Sequence, residues 1–428
     1  MKNKQLTSNI FPTVALFVSW LIIIESNIRK VSAKENLIIW SVLFLIGFTC
    51  NHRIKLNKVQ TTWLIFVSFT FLSTTLNALT YRTYNFSNLS EVLNNIAAFL
   101  YPLLAIYMIC QSVNVKLFFK LYEWLISAFT VLGIVEYITH IQFYRFLISS
   151  VDAQNNFLKY GDVSLPDYRM TLIFYHPYYY SVILVIFLFS LLYFPYKNKV
   201  VEFIFFTLGL INLVLTQTRS SWISFIVGLT LFYFQKVKSK STSRKKYLVT
   251  GLLLVVLICL FFPTLNNHLN GIFTNRFDSL ADGGLSSSEG VRLGQWSLIQ
   301  YLNSLPLKLF GGGTNFGIHM LRLHPINGWI VSIDNNYLML FLDYGIIGIL
   351  LYVIFIIFNI RGLKNANNSA NKLIYLSILS MLISSYFFSI YKVSEINYLF
   401  FILVGLSQVK SKLGEKNGKI GFNYSSNL

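Results

Sequence analysis

The sequence predicts an all-α polytopic membrane protein with about twelve transmembrane helices and both termini in the cytoplasm. The 428 residues are 55% hydrophobic and only 12% charged, whereas soluble globular proteins carry about 25% charged residues. Apolar runs close to the roughly 17 to 25 residues that cross a bilayer recur along the whole chain. Residues 1–428 are therefore expected to form a single integral membrane domain.

The apolar runs follow one another from the N-terminus to the C-terminus, separated by short polar or basic stretches. The first run follows a short tail with Lys2 and Lys4, and no small-residue cleavage site ends it cleanly. It is therefore expected to stay as the first membrane helix rather than be removed as a signal peptide. The predicted spans are 9–25, 36–51, 61–79, 92–110, 117–139, 171–194, 201–217, 221–235, 247–263, 337–358, 372–390 and 396–408. The second, eighth and last are short or weakly bounded, so about eleven to thirteen spans agree with the pattern.

Basic residues predict the orientation, because cytoplasmic loops of membrane proteins are enriched in Lys and Arg. With twelve spans, most basic clusters fall on one side, from Lys2 through the stretch 236–246 to the stretch 410–419. That side is expected to be the cytoplasm. The formal net charge of +19 then reflects orientation next to anionic membrane lipids, rather than a surface for nucleic acid. The exceptions are Arg29, Lys30 and Lys34 in the first loop, which fall on the outer side.

Two long loops, about 140–170 and 264–336, are predicted on the outer side, the second of them between spans 9 and 10. Loops of this length usually carry function or are disordered. The second contains WSLIQYLNSLPLKLF at 296–310, whose helical apolar spacing predicts short helices along the outer membrane surface. Any chemistry is therefore expected on the outer face.

Several arginines reach this outer face from distant parts of the chain. Arg219 in LTQTRSSW lies between the seventh and eighth spans, and Arg169 in DYRMTLIFYHP precedes the sixth. Arg276 and Arg292 lie in the second long loop. An Arg at a membrane boundary can simply extend to lipid phosphates, but the Thr and Ser residues beside Arg219 favour an anion site. Since guanidinium binds phosphate oxygens bidentately, these arginines predict a pyrophosphate site.

Candidates for a general base lie near the same face. Asp334 in SIDNNYL stands at the start of the tenth span, where it is a candidate base, a helix N-cap, or both. His176 and His324 are reserve candidates, with ordinary interface packing as the simpler interpretation. Glu136, near the outer end of the fifth span, is a further candidate because carboxylates within a membrane usually have a function. Asn335 is a candidate substrate contact.

The stretch LKLFGGGTNFG at 307–317 predicts either a tight turn or a close approach of the backbone to a phosphate. It is not a nucleotide P-loop, since no Lys-Ser/Thr pair follows. No metal site is predicted. His319 and His324 are five residues apart, rather than the three or four that share a helix face. The acidic residues at 278–289 are explained more simply by a solvated loop than by a hard cation.

Taken in order, these motifs resemble the O-antigen ligase/polysaccharide polymerase family of bacterial envelope proteins. The resemblance rests on Arg169 with HP behind it, TQTRSSW between two spans, Arg292 with Trp296 as R-x-x-x-W, LFGGGTNFG, and DNNYL followed by YGIIG. It covers roughly 160–360, and the hydropathy profile extends it to the whole chain.

The resemblance implies a membrane glycosyltransferase that acts on glycans linked to undecaprenyl pyrophosphate at the outer face of the bacterial cytoplasmic membrane. It implies no nucleotide sugar, no cofactor and no metal, and it assigns pyrophosphate binding to Arg169, Arg219 and Arg292, with Arg276 as a further candidate. Flippase and chain-length regulator proteins are candidate partners. Family ligases typically carry a His where this chain has Asp334, which favours a polymerase.

Three alternatives stay open from the sequence. A ligase that moves the finished chain to another acceptor is the nearest, and Gly228 lies at a different distance from Arg219 than the Gly in the Arg-rich repeats of some polymerases. A flippase of lipid-linked sugars is less favoured, because no internal repeat is visible and the charges crowd one surface. A sensor or scaffold would not need arginines that converge from separate spans.

Overall fold

The computed structural model describes residues 9–29, 33–50, 55–80, 99–139, 168–174, 176–237, 294–326, 332–388 and 394–407, and no strand occurs among them. The first eight helices are α1 (Ile10–Arg29), α2 (Ala33–Cys50), α3 (Lys58–Thr80), α4 (Tyr101–Cys110), α5 (Val115–Thr139), α6 (Pro177–Tyr193), α7 (Lys199–Leu215) and α8 (Arg219–Val237). A 3-10 helix (Trp296–Tyr301) follows, then α9 (Leu305–Phe310), α10 (Phe316–Leu323), α11 (Asn336–Asn365), α12 (Ser369–Ser384) and α13 (Ser394–Leu406).

The helices are those of a membrane protein. By length and composition, α3, α5 and α11 are long and apolar enough to cross a bilayer, and several shorter apolar helices accompany them. Eleven of the predicted spans overlap helices in the described part of the chain. The predicted ninth span, 247–263, lies outside the described residues. The number of twelve spans therefore stays a prediction, as does the transmembrane topology.

The sixth span begins later than the sequence pattern predicts. Its apolar run starts at 171, but α6 begins at Pro177, with His176 as the capping residue. The stretch 168–174 is not helical although most of it is buried. Proline is favoured in the first turn of a helix because its missing N–H needs no partner there. The buried carbonyls and amides of 168–174 must therefore find partners elsewhere in the protein.

Helices α5 to α8 and α11 to α13 pack as an antiparallel bundle with two distinct ends. At one end α6, α8 and α11 begin, and α5, α7 and α12 finish; we term it the Arg219 end. The ring of Tyr178 stacks on Phe388 with centroids 5.4 Å apart, and the Asn336 amide donates to the Ser385 carbonyl (3.1 Å). These contacts join the starts of α6 and α11 to the residues that follow α12.

The opposite end carries basic residues. There the Asn57 side chain donates to the Ser407 hydroxyl (3.1 Å), and the Tyr375 hydroxyl donates to the Ser407 carbonyl (3.3 Å). This end carries described basic residues close to the starts of α3, α5, α7 and α12 and close to the end of α11: Lys55, Lys58, Lys116, Lys120, Lys197, Lys199, Arg361, Lys364 and Lys372. The charge separation between the two ends agrees with the sequence pattern, and the cytoplasmic assignment stays a prediction.

A second, smaller hydrophobic core lies beside the main one. It joins the 3-10 helix, α9, α10 and the start of α11 through side chains that include Leu298, Phe316, Ile333 and Leu338. The 296–310 stretch, predicted to form short helices, does so, with Leu298 and Leu307 buried in this core. This satellite core holds the segment that precedes α11 in a defined position.

Candidate active site

Arg169 and the turn between α7 and α8 form one buried unit. The Arg169 guanidinium donates from Nε to the Thr216 carbonyl (3.2 Å). It also donates from Nη2 to the Gln217 carbonyl (3.3 Å) and to the Thr218 hydroxyl (3.4 Å). Only 7% of Arg169 is exposed. Arg169 therefore stabilises the turn that directly precedes Arg219.

Two further hydrogen bonds fasten the same two stretches to each other. The Met170 amide donates to the Leu215 carbonyl (3.0 Å), and the Gln217 side chain donates to the Tyr168 carbonyl (2.8 Å). Gln217 has a φ of 51°, an uncommon conformation for a residue other than glycine. The sequence pattern did not single out Gln217; its position between the two threonines of TQTR was the available signal.

Arg219 is the first residue of α8 and is partly exposed. The Thr218 carbonyl accepts from the amides of Ser221 and Trp222, which starts the helix. Helix N-termini carry a partial positive charge that adds to a cation placed there. The turn thus presents Arg219 at a site suited to an anion.

The hydroxyls around Arg219 make hydrogen bonds within the protein, whereas the sequence pattern predicts that they help to form an anion site. Thr216 donates to the Leu213 carbonyl (2.7 Å), Thr218 donates to the Thr216 carbonyl (3.1 Å), and the hydroxyls of Ser221 and Ser181 lie 2.6 Å apart. All these residues are buried. They stabilise the turn, and an anion at this position would be bound chiefly by the arginine and by backbone amides.

The start of α11 carries Asp334 and Asn335. The Asn335 side chain accepts from the amides of Tyr337 (2.9 Å) and Leu338 (3.1 Å), so Asn335 rather than Asp334 is the N-cap. Asp334 precedes the cap and is partly exposed. Its carboxylate accepts a hydrogen bond from the Ser332 hydroxyl (3.1 Å). Asp334 is therefore not the N-cap, which was one of the two roles that the sequence left open for it.

A chain of contacts connects Arg169 with the start of α11. The Arg169 guanidinium carbon lies 5.4 Å from the centroid of the Tyr178 ring, and Tyr178 stacks on Phe388. Three residues before Phe388, the Ser385 carbonyl accepts from Asn336. The structure thus brings Arg169, Arg219 and Asp334, which are far apart in sequence, to one end of the bundle.

His176 lies at this end as the cap of α6. Its Nδ1 accepts from the Tyr178 amide (3.2 Å), and its ring stacks on Tyr178 with centroids 4.8 Å apart. In the neutral imidazole the proton then sits on Nε2, an assignment made from the hydrogen-bond geometry. His176 is therefore suited to donate a hydrogen bond rather than to act as a base.

His324 follows α10 and is exposed, with its ring stacked on Tyr301 at a centroid distance of 4.3 Å. The contact belongs to the segment before α11 and does not connect His324 to Arg219. Surface stacking, the simpler interpretation of this histidine, agrees with the geometry.

Glu136 lies near the end of α5, deeply buried behind Arg169. The Tyr168 hydroxyl donates to its Oε1 (3.2 Å). Burial, together with the negative charge of Glu136, raises the pKa of Tyr168 well above its ordinary value. The phenol therefore stays protonated at any pH at which the protein works. Glu136 thus helps to anchor the stretch 168–170 next to Arg169.

The three glycines at 311–313 form a tight turn against a break in α11. Gly345 interrupts α11 with a φ of 65°. The amides of Gly312 and Gly313 donate to the carbonyls of Leu342 (3.0 Å) and Asp343 (2.8 Å). A phosphate cradle needs amides that point at the ligand, and these point into the protein. The structure therefore favours the turn.

Two candidate arginines, Arg276 and Arg292, lie outside the described residues, as does the acidic stretch 278–289. Among the described residues, no group of three or more His, Cys, Asp or Glu side chains is arranged to hold a metal ion.

Residues 203–353 match the family model described as O-antigen ligase. The matched segment begins in α7 and ends in α11, so it contains Arg219, Arg292, the glycine turn and Asp334. Arg169 and His176 precede it. No curated protein matches the chain. The resemblance predicted from the motifs is thereby confirmed.

Proposed function

We propose that the chain is a polysaccharide polymerase, and the match of residues 203–353 to the family model described as O-antigen ligase is the premise of the proposal. The donor and the acceptor are undecaprenyl-pyrophosphate-linked oligosaccharide repeat units at the outer face of the bacterial cytoplasmic membrane. The observation that supports the proposal is that the turn with Arg219 and the segment with Asp334 lie at the same end of the bundle.

The reaction is a glycosyl transfer. An acceptor sugar hydroxyl attacks the anomeric carbon of the donor, a new glycosidic C–O bond forms, and the bond from that carbon to the pyrophosphate oxygen breaks. The bonding pair leaves with the pyrophosphate, and the acceptor proton goes to the Asp334 carboxylate as general base. Because pyrophosphate is a good leaving group, the transfer needs no nucleotide.

Arg219 neutralises the charge that develops on the departing pyrophosphate. Arg276 and Arg292, from the predicted loop that precedes α11, are further cations for the same role. Loss of one such group typically lowers the rate about 100-fold to 1,000-fold. For Arg169 we propose an indirect part, since its guanidinium already donates to three acceptors in the turn before Arg219. Direct contact between Arg169 and pyrophosphate stays a prediction.

The second candidate is a ligase that transfers the finished chain to another acceptor, which the description of the matched family favours. The two activities differ in where the product is found. A polymerase lengthens glycans that remain on the lipid carrier, whereas a ligase moves them off it. Asp334, at the place where the family's ligases typically carry a His, favours the polymerase.

The test uses purified protein in lipid vesicles with a fluorescent undecaprenyl-pyrophosphate-linked oligosaccharide, and gel electrophoresis to follow lengthening. We expect a ladder for the unaltered protein, also in EDTA, and its loss in Arg219→Ala and Asp334→Ala. Arg361→Ala, at the opposite end of α11, is the matched control and should leave the ladder intact. Movement of label off the carrier would favour the ligase, and movement across the bilayer without any transfer would identify a flippase.

A further inference from the structure

Gln295, directly before the 3-10 helix, is almost fully buried, with 1% of its surface exposed. Its Nε2 donates to the Ser332 carbonyl (2.9 Å), and its Oε1 accepts from the Asp334 amide (3.3 Å). One side-chain amide thus binds the backbone at two positions, two residues apart.

These bonds constrain the Asp334 side chain as well as its backbone. The Ser332 carbonyl and the Asp334 amide are both held by Gln295, and the Ser332 hydroxyl donates to Asp334 Oδ1 (3.1 Å). The stretch 332–334 is not helical, and the first helical hydrogen bond of α11 reaches back only to the Asn335 carbonyl, which accepts from the Met339 amide (3.0 Å). Gln295 therefore supplies the restraint that a regular element would otherwise supply.

Packing alone does not require a glutamine at this position. Ile333, which lies between the two backbone positions bound by Gln295, and Leu298 are both buried in the satellite core. An aliphatic residue of similar size would also suit this apolar environment. A buried amide is stabilising only when its donors and its acceptor are satisfied. The two hydrogen bonds accordingly indicate that Gln295 orients the backbone around Asp334.

We propose that Gln295 is a positioning residue, which sets the place of the Asp334 carboxylate relative to the acceptor hydroxyl. This inference rests on the proposed function, in which Asp334 is the base. Gln295 thus joins the start of the 3-10 helix to Asp334, which lies 39 positions further along the sequence.

The test compares Gln295→Leu, which keeps the volume and removes both hydrogen bonds, with Gln300→Ala, which changes an exposed glutamine in the 3-10 helix that follows Gln295. Misplacing a reacting group by about 1 Å can cost about 100-fold in rate. We expect Gln295→Leu to lower kcat about 10-fold to 100-fold, with KM for the lipid-linked donor changed less than about 2-fold. Gln300→Ala should behave as the unaltered protein.

A double variant separates positioning from general support of the fold. If Gln295 acts through Asp334, then Gln295→Leu adds no further loss to Asp334→Asn, since the effects of coupled residues do not add. Where Asp334→Asn leaves no measurable rate, Asp334→Glu takes its place. A loss that multiplies with the Asp334 substitution, or a normal kcat in Gln295→Leu, overturns the inference. Full activity of Asp334→Asn would instead refute the proposed base, a failure of the proposed function that this comparison identifies separately.

Discussion

At the scale of single residues, side chains with several donors or acceptors hold irregular backbone in place. Arg169 and Gln217 bind the stretches 168–170 and 215–218 to each other, and Gln295 does the same for 332–334. The stretch 215–218 leads directly into α8, which begins at Arg219, and the stretch 332–334 contains Asp334 and precedes Asn335, the cap of α11. Buried backbone without regular structure must be satisfied by such side chains.

The planar guanidinium of Arg169 is needed for this task, and we expect Arg169→Lys to be a poor substitute. A lysine ammonium is a point donor that cannot serve both Thr216 and Gln217 in the same fork geometry. Each buried carbonyl left without a donor costs about 1–3 kcal/mol. Both the melting temperature and kcat should therefore fall, kcat by about 10-fold or more as Arg219 is displaced.

Thermal unfolding and the lengthening assay measure these two effects. Arg361→Lys is the control, because Arg361 is exposed at the opposite end of the bundle. An Arg169→Lys protein with normal stability and a normal rate would show that the three hydrogen bonds of Arg169 are dispensable.

At the scale of elements, the break in α11 and the glycine turn form one joint. The Asp343 carboxylate accepts from the amides of Asn315 (3.1 Å) and Gly317 (2.9 Å) at the start of α10. The Asn77 side chain of α3 donates to the Gly311 carbonyl (3.0 Å). The joint therefore connects α3, α10 and α11, and it sets how the segment before α11 sits on the bundle.

Gly345→Ala tests the joint. Gly345 has a φ of 65°, and a Cβ there would lie 2.5 Å from the Leu309 carbonyl oxygen and 2.6 Å from the Gly311 nitrogen. With a ψ of −163°, Gly345 lies in a backbone region that is populated essentially by glycine, and holding another residue in such a region costs about 1–3 kcal/mol. We expect lower yields of folded protein and faster cleavage near 310–326 in limited proteolysis.

The neighbouring exposed residue provides the comparison, since Ile346→Ala removes side-chain atoms without strain. If Gly345→Ala resists proteolysis as well as Ile346→Ala does, the break in α11 does not require glycine.

At the scale of the whole molecule, the described lysines of the bundle lie at the end opposite to the candidate site, whose own described cations are Arg169 and Arg219. The proposed function requires the Arg219 end to face outward, because the lipid-linked substrates are expected there. Enrichment of Lys and Arg at the other end agrees with a cytoplasmic location for that end.

Cysteine labelling determines the orientation. In a variant whose three native cysteines are replaced, Trp296→Cys and Lys116→Cys each provide one exposed thiol. A membrane-impermeant maleimide should label Trp296→Cys in spheroplasts with an intact membrane, and Lys116→Cys only after permeabilisation. The reverse pattern would place the candidate site in the cytoplasm and would be incompatible with the proposed donor.

The sequence by itself determined the helical membrane class, the approximate bounds of most helices and the resemblance to the O-antigen ligase family that the match of residues 203–353 supports. These features follow from local hydropathy and from short motifs, which need no knowledge of contacts. It also singled out Arg169, Arg219, Glu136 and Asp334, because charges are costly in or near a membrane and are retained for a purpose.

Only the tertiary structure decided what each of these side chains binds. That Asn335 caps α11, that Arg169 holds the turn before Arg219, and that the glycine turn packs on the break in α11 all depend on residues brought together from distant parts of the chain. Gln217 and Gln295 stayed unnoticed in the sequence for the same reason. A glutamine has no charge to mark it, and its partners here are backbone atoms about 40 to 50 positions away, so no local pattern records the contact.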